Sequence, residues 1–249
     1  MRLLKLFSTA FLTLSLAMPL QALDLNQMTN EERAIFREEV RAYLMEQPEI
    51  IIEAVNQLEA RQQEQAAQAD LALVSDNQEA LFDDGYSFVG GNPDGDITLV
   101  EFLDYKCHYC RKAHEEVAKM LETDGNIRLV VKEFPILGEQ SFLASQFAIA
   151  VKQIAGGEVY KAMNDSLMTF PGEFSMPTLT RLAQTYGLDM AEIEVRMNSP
   201  EVAAEIQKTR ELAQQMRITG TPTFILQDEM LRGYLPFDQM MLIVNDKRS

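Results

Sequence analysis

The sequence predicts an α/β fold, in which a small sheet is interrupted by an all-helical block and preceded by an N-terminal helical segment. Three observations support this prediction. Runs of β-branched and aromatic residues at 97–105, 126–135 and 221–226 are typical of buried strands. Between the second and third runs, at about 138–217, apolar residues recur at helical spacing. Before residue 76 the chain is rich in Gln, Ala and Glu, which suit a helix.

The first residues, 1–22, have the pattern of a secretory signal peptide: Arg2 and Lys5 precede an apolar run that ends near Ala22. Cleavage after Ala17 and retention as an uncleaved anchor are the alternatives. Removing the two positive charges of this segment changes the formal charge from −16 to −18. We therefore expect a periplasmic or otherwise exported protein.

The next segment, 23–75, is predicted to form two helices. Thr29 and Glu32 have the spacing of a capping box, and Pro48 suits the first turn of a second helix. Such helices either pack on the main domain or associate with other copies of the chain, and we favour a homo-oligomer formed through this segment. The predicted apolar stripes contain Ile35, Phe36, Val40, Ile51, Val55 and Leu58.

The remaining residues, 76–249, are predicted to form the main domain. Glycines and a proline at 90–95 indicate a turn before the first strand. The Gly156-Gly157 pair breaks a long helix within the helical block. After the third strand, 231–235 is predicted to be its hairpin partner, and 236–244 to be a terminal helix.

The composition limits the classes of function. A chain of 249 residues with 47% apolar residues has the length for one or two domains with a real core. Its formal charge of −16 is unsuited to phosphate binding, so no nucleic-acid partner is expected.

The two cysteines of the chain, Cys107 and Cys110, stand two residues apart directly after the first predicted strand. A disulfide closing so short a loop removes little chain entropy, and a domain of this size does not need one for stability. In an exported protein, the pair therefore indicates thiol–disulfide chemistry.

The predicted helix starts at this motif, so Cys107 lies at the positive end of the helix dipole. Lys106, Arg111 and Lys112 surround it in an otherwise acidic chain. These features favour the thiolate of Cys107, which would attack substrate, while Cys110 would point inward and resolve the mixed disulfide.

Both histidines of the chain also lie here. His108 stands between the cysteines, where its imidazolium form would tune the attacking sulfur, unless it is only an exposed polar residue. His114 lies one turn beyond Cys110 and is interpreted as a helix residue without a special role.

The cluster also contains the ligand types of a zinc or copper(I) site. Cys107, His108, Cys110 and His114 on one helix cannot readily surround an ion, so no resident metal is expected. A copper-binding or copper-tolerance function of the two thiols remains an alternative.

Two further features complete the candidate site. Glu101 lies between apolar neighbours on the strand that enters the motif, so it is either a surface carboxylate or a partly buried acid with a raised pKa. A buried acid there could exchange a proton with Cys110. Thr221-Pro222 precedes the third strand, and local sequence alone favours a trans bond.

The stretches "LVEFLDYKCHYC", "VVKEFPIL" and "GTPTFIL", over about 82–244, resemble the thioredoxin fold and, more closely, the DsbA-type family of exported disulfide oxidoreductases. The resemblance implies that Cys107 is the nucleophile, Cys110 the resolving thiol and Glu101 the buried acid. It also implies that Thr221-Pro222 forms a cis-proline loop facing the active-site sulfurs.

The N-terminal helices, with "YLMEQPEIIIEAV", resemble those of the ScsC-like proteins, some of which oligomerise and isomerise disulfides. His108-Tyr109 departs from the family: the tyrosine is typical of isomerases, but the glycine that usually precedes it is missing. The resemblance implies that Tyr109, Thr221 and Pro222 contact substrate. It further implies unfolded or misoxidised exported proteins as substrates, a DsbD-like reductant or DsbB-like oxidant in the membrane as redox partner, and no cofactor.

Overall fold

The computed structural model describes residues 27–249, so the predicted signal peptide at 1–22 lies outside the described residues. Within the described range, no helix combines the length and apolar character needed to cross a bilayer. The elements are α1 (Asn30–Glu46), α2 (Glu49–Asp76), α3 (Gln78–Phe82), β1 (Phe88–Gly91), β2 (Ile97–Leu103), α4 (His108–Asp124), β3 (Ile127–Glu133), α5 (Glu139–Thr169), α6 (Met176–Thr185), α7 (Met190–Met197), α8 (Pro200–Gln215), β4 (Thr223–Leu226), β5 (Glu229–Arg232) and α9 (Phe237–Lys247).

The chain divides into two compact units, one ending at Ala60 and the other comprising Arg61–Ser249. In the first unit, the predicted capping box starts α1: Glu32 N donates to Thr29 Oγ1 at 3.3 Å, and Thr29 N donates to Glu32 Oε2 at 2.8 Å. No residue of α1 is buried. The side chains predicted to form apolar stripes are all exposed, namely Ile35, Phe36, Val40, Ile51, Val55 and Leu58.

The second unit contains a five-stranded sheet with the order β1-β3-β2-β4-β5. Strands β2 and β3 are parallel, and the other neighbouring pairs are antiparallel. Helix α4 connects the two parallel strands, as a parallel pair requires a crossover. The predicted strands at 97–105 and 126–135 are thus confirmed as β2 and β3, the parallel pair, and both are buried almost throughout.

Alternation along these strands assigns their side chains to two cores. Leu99 and Leu103 belong to the larger core, with residues of α4, α5 and α9, whereas Val100 and Phe102 belong to a smaller core on the other face. The predicted helical block is confirmed as α5–α8, and the predicted break in its first helix is a kink at Gly156, where φ is 85°.

At the sheet edges, one prediction was confirmed in part and one was wrong. The predicted turn at 90–95 lies before β2, where Gly95 N donates to Asn92 O at 2.9 Å, but its first two glycines belong to β1, a strand that the sequence did not predict. Strand β1 pairs with β3, and its Phe88 is buried with its ring 4.7 Å from that of Tyr160. The hairpin partner is β5 rather than 231–235, because a two-residue turn with Gln227 at φ 59° closes the hairpin early.

Candidate active site

Cys107 caps the N-terminus of α4, as predicted. Its backbone is extended, with φ −72° and ψ 117°, and its Sγ accepts a hydrogen bond from Cys110 N at 3.4 Å. The loop that leads to it is fixed by Asp104, whose carbonyl accepts from Cys107 N at 3.0 Å. A sulfur in this position faces the unpaired N–H groups of the first helical turn.

Asp104 also ties this loop to the one after β3, a role that the sequence did not reveal. Its buried carboxylate accepts backbone hydrogen bonds from Lys106 at 2.8 Å, Ile136 at 2.8 Å and Leu137 at 3.0 Å. Because the three donors come from two loops, Asp104 fixes the position of the cysteine motif relative to β3.

The loop before β4 lies on the other side of Cys107. Cys107 Sγ lies 3.1 Å from the carbonyl oxygen of Thr221, to which it donates a hydrogen bond in its thiol form, and the Thr221–Pro222 peptide bond is cis. The expectation from family resemblance is therefore confirmed at this bond, and the trans default from local sequence is wrong here. Thr221 is half-buried and Pro222 is buried.

The two thiols are both free and have opposite electrostatic environments. Hydrogen bonds lower the pKa of Cys107 to about 5: the largest contribution comes from the Cys110 thiol, followed by the Thr221 side chain and the backbone N–H groups of Cys110 and Tyr109. Burial raises the pKa of Cys110 far above its ordinary value, and its hydrogen bond to Cys107 and the charge of Glu101 raise it further. Only Cys107 is therefore a thiolate at neutral pH.

Arg111 binds backbone carbonyls instead of facing the Cys107 sulfur. Its Nε donates to Tyr105 O at 2.8 Å and its Nη1 donates to Phe170 O at 2.6 Å. This guanidinium therefore joins the cysteine motif to the end of α5. The predicted lowering of the Cys107 pKa is confirmed, but its largest cause is hydrogen bonding rather than the charge of neighbouring side chains.

The other basic neighbours of the motif lie over aromatic rings. The Lys106 ammonium is 5.9 Å from the Phe174 ring centroid, and that of Lys112 is 4.1 Å from the Tyr234 ring centroid. Together with the exposed Tyr109, whose ring lies 6.5 Å from that of Tyr234, they form a cationic and aromatic surface beside the cysteines.

His108 is exposed at the start of α4, and its ring packs edge-on against that of Tyr109 with centroids 5.6 Å apart. His114 points elsewhere, toward Asp165 of α5. The cysteines and histidines of the motif therefore do not converge on one point. In the part of the chain that the structure describes, no group of three or more His, Cys, Asp or Glu residues is arranged to hold a metal ion.

Glu101 lies on β2 beneath the cysteine motif, and its predicted burial is confirmed, since only 3% of its surface is exposed. Burial raises its pKa to about 7; the charge of His114 lowers it, while the charges of Glu133 and Cys107 raise it. Among residues 27–249, no hydrogen-bond partner reaches its Oε1. Such a carboxyl is poised to gain or lose a proton near neutral pH.

A small cavity of about 20 Å³ adjoins Glu101. Its polar lining comes from Glu101, His114, Lys161 and Asn164. His114 Nε2 is 2.9 Å from Asp165 Oδ1, which also accepts from Lys161 Nζ at 2.5 Å. Sequence reasoning missed this grouping, because α4 and α5 meet only through the tertiary fold.

A second buried acid, Glu133 at the end of β3, was also missed. Its Oε1 accepts from the hydroxyls of Tyr105 and Tyr160, both at 2.7 Å, and its Oε2 accepts from Ser145 Oγ at 2.7 Å. Asn164 Nδ2 donates to the Tyr105 hydroxyl at 3.0 Å. Burial raises the pKa of Glu133 to about 7 although these three hydrogen bonds lower it. One signal in the sequence could have predicted the burial of Glu133. It stands two residues after Val131, which faces the core, so both side chains lie on the same face of the strand.

A reduced dithiol at the start of the helix that follows a central strand, facing a cis-proline loop, is the arrangement of thioredoxin-fold thiol–disulfide oxidoreductases. The chain belongs to the family described as the DSBA-like thioredoxin domain, whose model matches residues 98–243. A second family model, the N-terminal domain of the copper resistance protein ScsC, matches residues 32–65.

Individual relatives agree with this assignment. A thioredoxin-like oxidoreductase from Silicibacter pomeroyi DSS-3 is 39% identical, with a TM-score of 0.65, and the match covers 69% of this chain and 98% of that one. Proteus mirabilis ScsC in a transitional conformation is 24% identical, with a TM-score of 0.64 over 90% of this chain and 98% of that one, and shares the fold.

Curated relatives include larger proteins. The Na(+)/H(+) antiporter NhaA 1 of Salinispora arenicola is 27% identical over 146 residues, which are 58% of this chain. The match spans only 22% of the length of that antiporter, so the relationship concerns one region of it.

Proposed function

We propose that the protein is an exported disulfide isomerase or reductase that acts on unfolded or misoxidised exported proteins. The observation that carries this proposal is the contrast between the thiols: the pKa of Cys107 is lowered to about 5, while that of the buried Cys110 is raised. Stabilising the Cys107 thiolate favours the reduced dithiol, which is the form that attacks scrambled disulfides.

In the proposed reaction, the Cys107 thiolate attacks a substrate disulfide, and one substrate sulfur leaves as a thiolate and takes a proton from water. A mixed disulfide now joins Cys107 to the other substrate sulfur. Cys110 loses its proton and attacks Cys107, which breaks the mixed disulfide and releases the second substrate thiolate. The two substrate sulfurs are reduced, and the two protein thiols are oxidised to a disulfide. For isomerisation, the released substrate thiolate attacks the mixed disulfide before Cys110 does, and the protein stays reduced.

The raised pKa of Cys110 means that its attack needs a base. Glu101 is the proposed base, since its carboxyl is buried on the same side of β2 as α4 and its pKa is about 7. At neutral pH, a substantial fraction of Glu101 is therefore ionised and able to take the Cys110 proton.

Substrate contacts are proposed for Tyr109, which follows Cys107 in the first turn of α4, and for Thr221 and Pro222 of the loop that contacts the Cys107 sulfur. Tyr109 is 57% exposed, and Thr221 already places a carbonyl oxygen 3.1 Å from the Cys107 sulfur. His108, which is exposed, is proposed to tune the attacking sulfur of Cys107, because its imidazolium form would favour the thiolate.

A dithiol oxidase is the second candidate within the same class. The stabilised Cys107 thiolate also supports it, because stabilising the reduced form makes the disulfide a stronger oxidant. Trapping the thiols in intact cells separates the two functions. A reduced Cys107–Cys110 pair, maintained by a DsbD-like reductant, supports the isomerase, and an oxidised pair, maintained by a DsbB-like oxidant, supports the oxidase.

A copper(I) function is the candidate of a different class. The match to the ScsC N-terminal domain covers residues 32–65, which contain neither cysteine nor histidine, so it does not by itself favour copper ligation. Titration of the reduced protein with copper(I) tests this candidate, and submicromolar binding that Cys107→Ser abolishes would favour it.

The roles of the cysteines are tested by two matched substitutions. Cys107→Ser is expected to abolish insulin reduction, because no nucleophile remains. Cys110→Ser is expected to keep the first attack and to accumulate mixed disulfides with substrate, which non-reducing electrophoresis detects. The proposed roles are reversed if Cys107→Ser stays active and Cys110→Ser does not form adducts.

We also propose that residues 23–75 form an oligomerisation segment attached to a catalytic domain of residues 76–249. The exposed apolar stripes of α1 and of the first part of α2 support this proposal, since burying each Leu or Ile side chain contributes about 1.5–3 kcal/mol. The match of residues 32–65 to the ScsC N-terminal domain agrees with it. Several active sites in one assembly would let one site hold a substrate while another attacks.

Light scattering tests this assembly. The mature chain is expected to be a dimer or trimer, and a variant without residues 23–75 is expected to be monomeric. The truncated protein should still reduce insulin but should lose isomerase activity on scrambled substrates. A monomeric full-length protein contradicts the proposal.

A further inference from the structure

Glu101 lines the small cavity, and no described residue donates a hydrogen bond to its Oε1. The cavity volume of about 20 Å³ is sufficient for one water molecule, which requires about 10–15 Å³. An unpartnered oxygen on a buried carboxyl costs free energy unless a water or a proton satisfies it. The cavity therefore has the size and the polar lining to hold a water against Glu101.

His114 also lines this cavity, and it contacts Asp165, which is more exposed than the histidine. The side chain of His114 is only 16% exposed, whereas that of Asp165 is 42% exposed. His114 Nε2 lies 2.9 Å from Asp165 Oδ1. The charge of His114 also acts on the Glu101 carboxyl, so the two groups are electrostatically coupled across the cavity.

We propose that His114 and Asp165 form a proton exit from Glu101 to solvent, through one water molecule in the cavity. This inference rests on the proposed function and assigns a role to a histidine that the sequence pattern marked as ordinary. An imidazole suits the role, because its two nitrogens can accept a proton on one side and donate one on the other near neutral pH.

The relay completes the resolving step. Cys110 gives its proton to the Glu101 carboxylate as its sulfur attacks Cys107, and the substrate leaves as a thiolate. Glu101 then passes the proton through the cavity water to His114, which releases it through Asp165 to solvent. The departing thiolate takes up one proton from solvent, so the proton balance closes and no further oxidant or reductant is needed.

The other charged groups around the cavity are compatible with proton transfer from Glu101 through His114 to Asp165. Lys161 of α5 lines the cavity and pairs with Asp165, and Glu133 of β3 raises the pKa of Glu101 through its charge. The contact of 2.9 Å between His114 Nε2 and Asp165 Oδ1 holds the imidazole between the cavity and the half-exposed carboxylate.

The test is the reaction of the reduced protein with Ellman's reagent in stopped flow. The first release of thionitrobenzoate reports the attack by Cys107, and the second reports its displacement by Cys110. In weakly buffered solution, His114→Ala is expected to keep the first phase and to slow the second at least tenfold. Added imidazole, which can enter the vacated site beside the exposed Asp165, is expected to restore the second phase to within about threefold of the wild-type rate.

Three controls define the outcomes. Glu115→Gln, an exposed neighbour on α4, is expected to behave as wild type. Imidazole is expected to leave the Glu101→Gln variant unchanged, because the relay then has no proton to carry. His114→Gln, which keeps the side-chain volume, is expected to slow the second phase without imidazole rescue, and it replaces His114→Ala if that variant does not fold.

The relay is overturned if the second phase of both His114 variants runs at the wild-type rate, or if imidazole does not restore His114→Ala. Failure of the proposed function is a different result: the wild-type protein itself would then release no second thionitrobenzoate.

Discussion

The two buried carboxyls of the catalytic unit, Glu101 on β2 and Glu133 on β3, differ in one respect. Both lie on the sheet face covered by α4 and α5, both are 3% exposed, and burial raises the pKa of each to about 7. Glu133 accepts hydrogen bonds on both of its oxygens. Glu101 has an oxygen that no described residue reaches, and its side chain lines a cavity.

This difference shows that a raised pKa does not by itself identify a functional acid. A carboxyl that is fully hydrogen-bonded stabilises the structure around it, and its protonation would break those contacts. A carboxyl with a free oxygen beside a reactive thiol can exchange its proton without loss of structure. We therefore assign a structural role to Glu133 and a chemical role to Glu101.

The largest expected effect that tests this comparison is on stability. Glu133→Ala leaves the hydroxyls of Tyr105, Tyr160 and Ser145 buried without their acceptor, so the free energy of unfolding should fall by about 3–5 kcal/mol. Glu101→Ala, the matched control, should lose no more than about 1–2 kcal/mol, because it strands no donor. Urea unfolding of both variants measures the difference, and equal losses would contradict the assignment.

The second prediction concerns stability as a function of pH. The folded-state pKa of Glu101, about 7, lies above its ordinary value of 4.5, so the folded protein binds this proton more tightly than the unfolded chain. This tighter proton binding adds to the free energy of unfolding. The added stability is complete below pH 4.5 and is lost as the pH rises through 7, and the loss is on the order of 3 kcal/mol. Glu101→Gln should remove this dependence and be more stable relative to wild type at pH 8 than at pH 4.5.

The measurement is urea unfolding of wild type and Glu101→Gln at both pH values. Glu133→Gln serves as the comparison. It should show a pH-dependent gain of similar size, because burial raises the pKa of Glu133 to about 7 as well. It should be the less stable variant at both pH values, because an amide nitrogen cannot accept a hydrogen bond from the buried hydroxyls. A stability difference between Glu101→Gln and wild type that is the same at both pH values would sink the prediction.

The smallest expected effect comes from removing one donor to Glu133. Tyr160→Phe deletes one of three hydrogen bonds, so stability should fall by about 1 kcal/mol. The pKa of Glu133 should rise, because that hydrogen bond lowers it. The rate of disulfide exchange should stay unchanged, and a tenfold slower exchange in this variant would show that Glu133 takes part in the chemistry.

Much of the fold could be predicted from sequence because its signals are local. The apolar runs of β2 and β3, the capping box at Thr29 and the helix starting at Cys107 each depend on residues within a few positions. The edge strands could not be predicted as well. Strand β1 is short and Gly-rich, and its existence depends on pairing with β3, some 40 residues later.

The residues of the candidate site also differ in whether local sequence could predict them. Cys107, Cys110 and Glu101 could be found by spacing within one strand and one helix turn. Glu133 and His114 could not, because their partners come from other elements: Tyr160 lies 27 residues from Glu133, and Asp165 lies on α5, whereas His114 is on α4. The sequence analysis overestimated how much the basic neighbours lower the pKa of Cys107. Composition does not show that Arg111 is bound to backbone carbonyls instead.

The central claim is that Glu101 is the base for Cys110, and the pH profile of the resolving step tests it most directly. The second release of thionitrobenzoate should accelerate in wild type as pH rises through about 7, the pKa of Glu101. Glu133→Gln should keep this profile with a lower midpoint, because the Glu133 charge raises that pKa. Glu101→Gln should lose the acceleration near pH 7 and be about 10–100-fold slower there. A Glu101→Gln variant with the wild-type rate and profile would contradict the account.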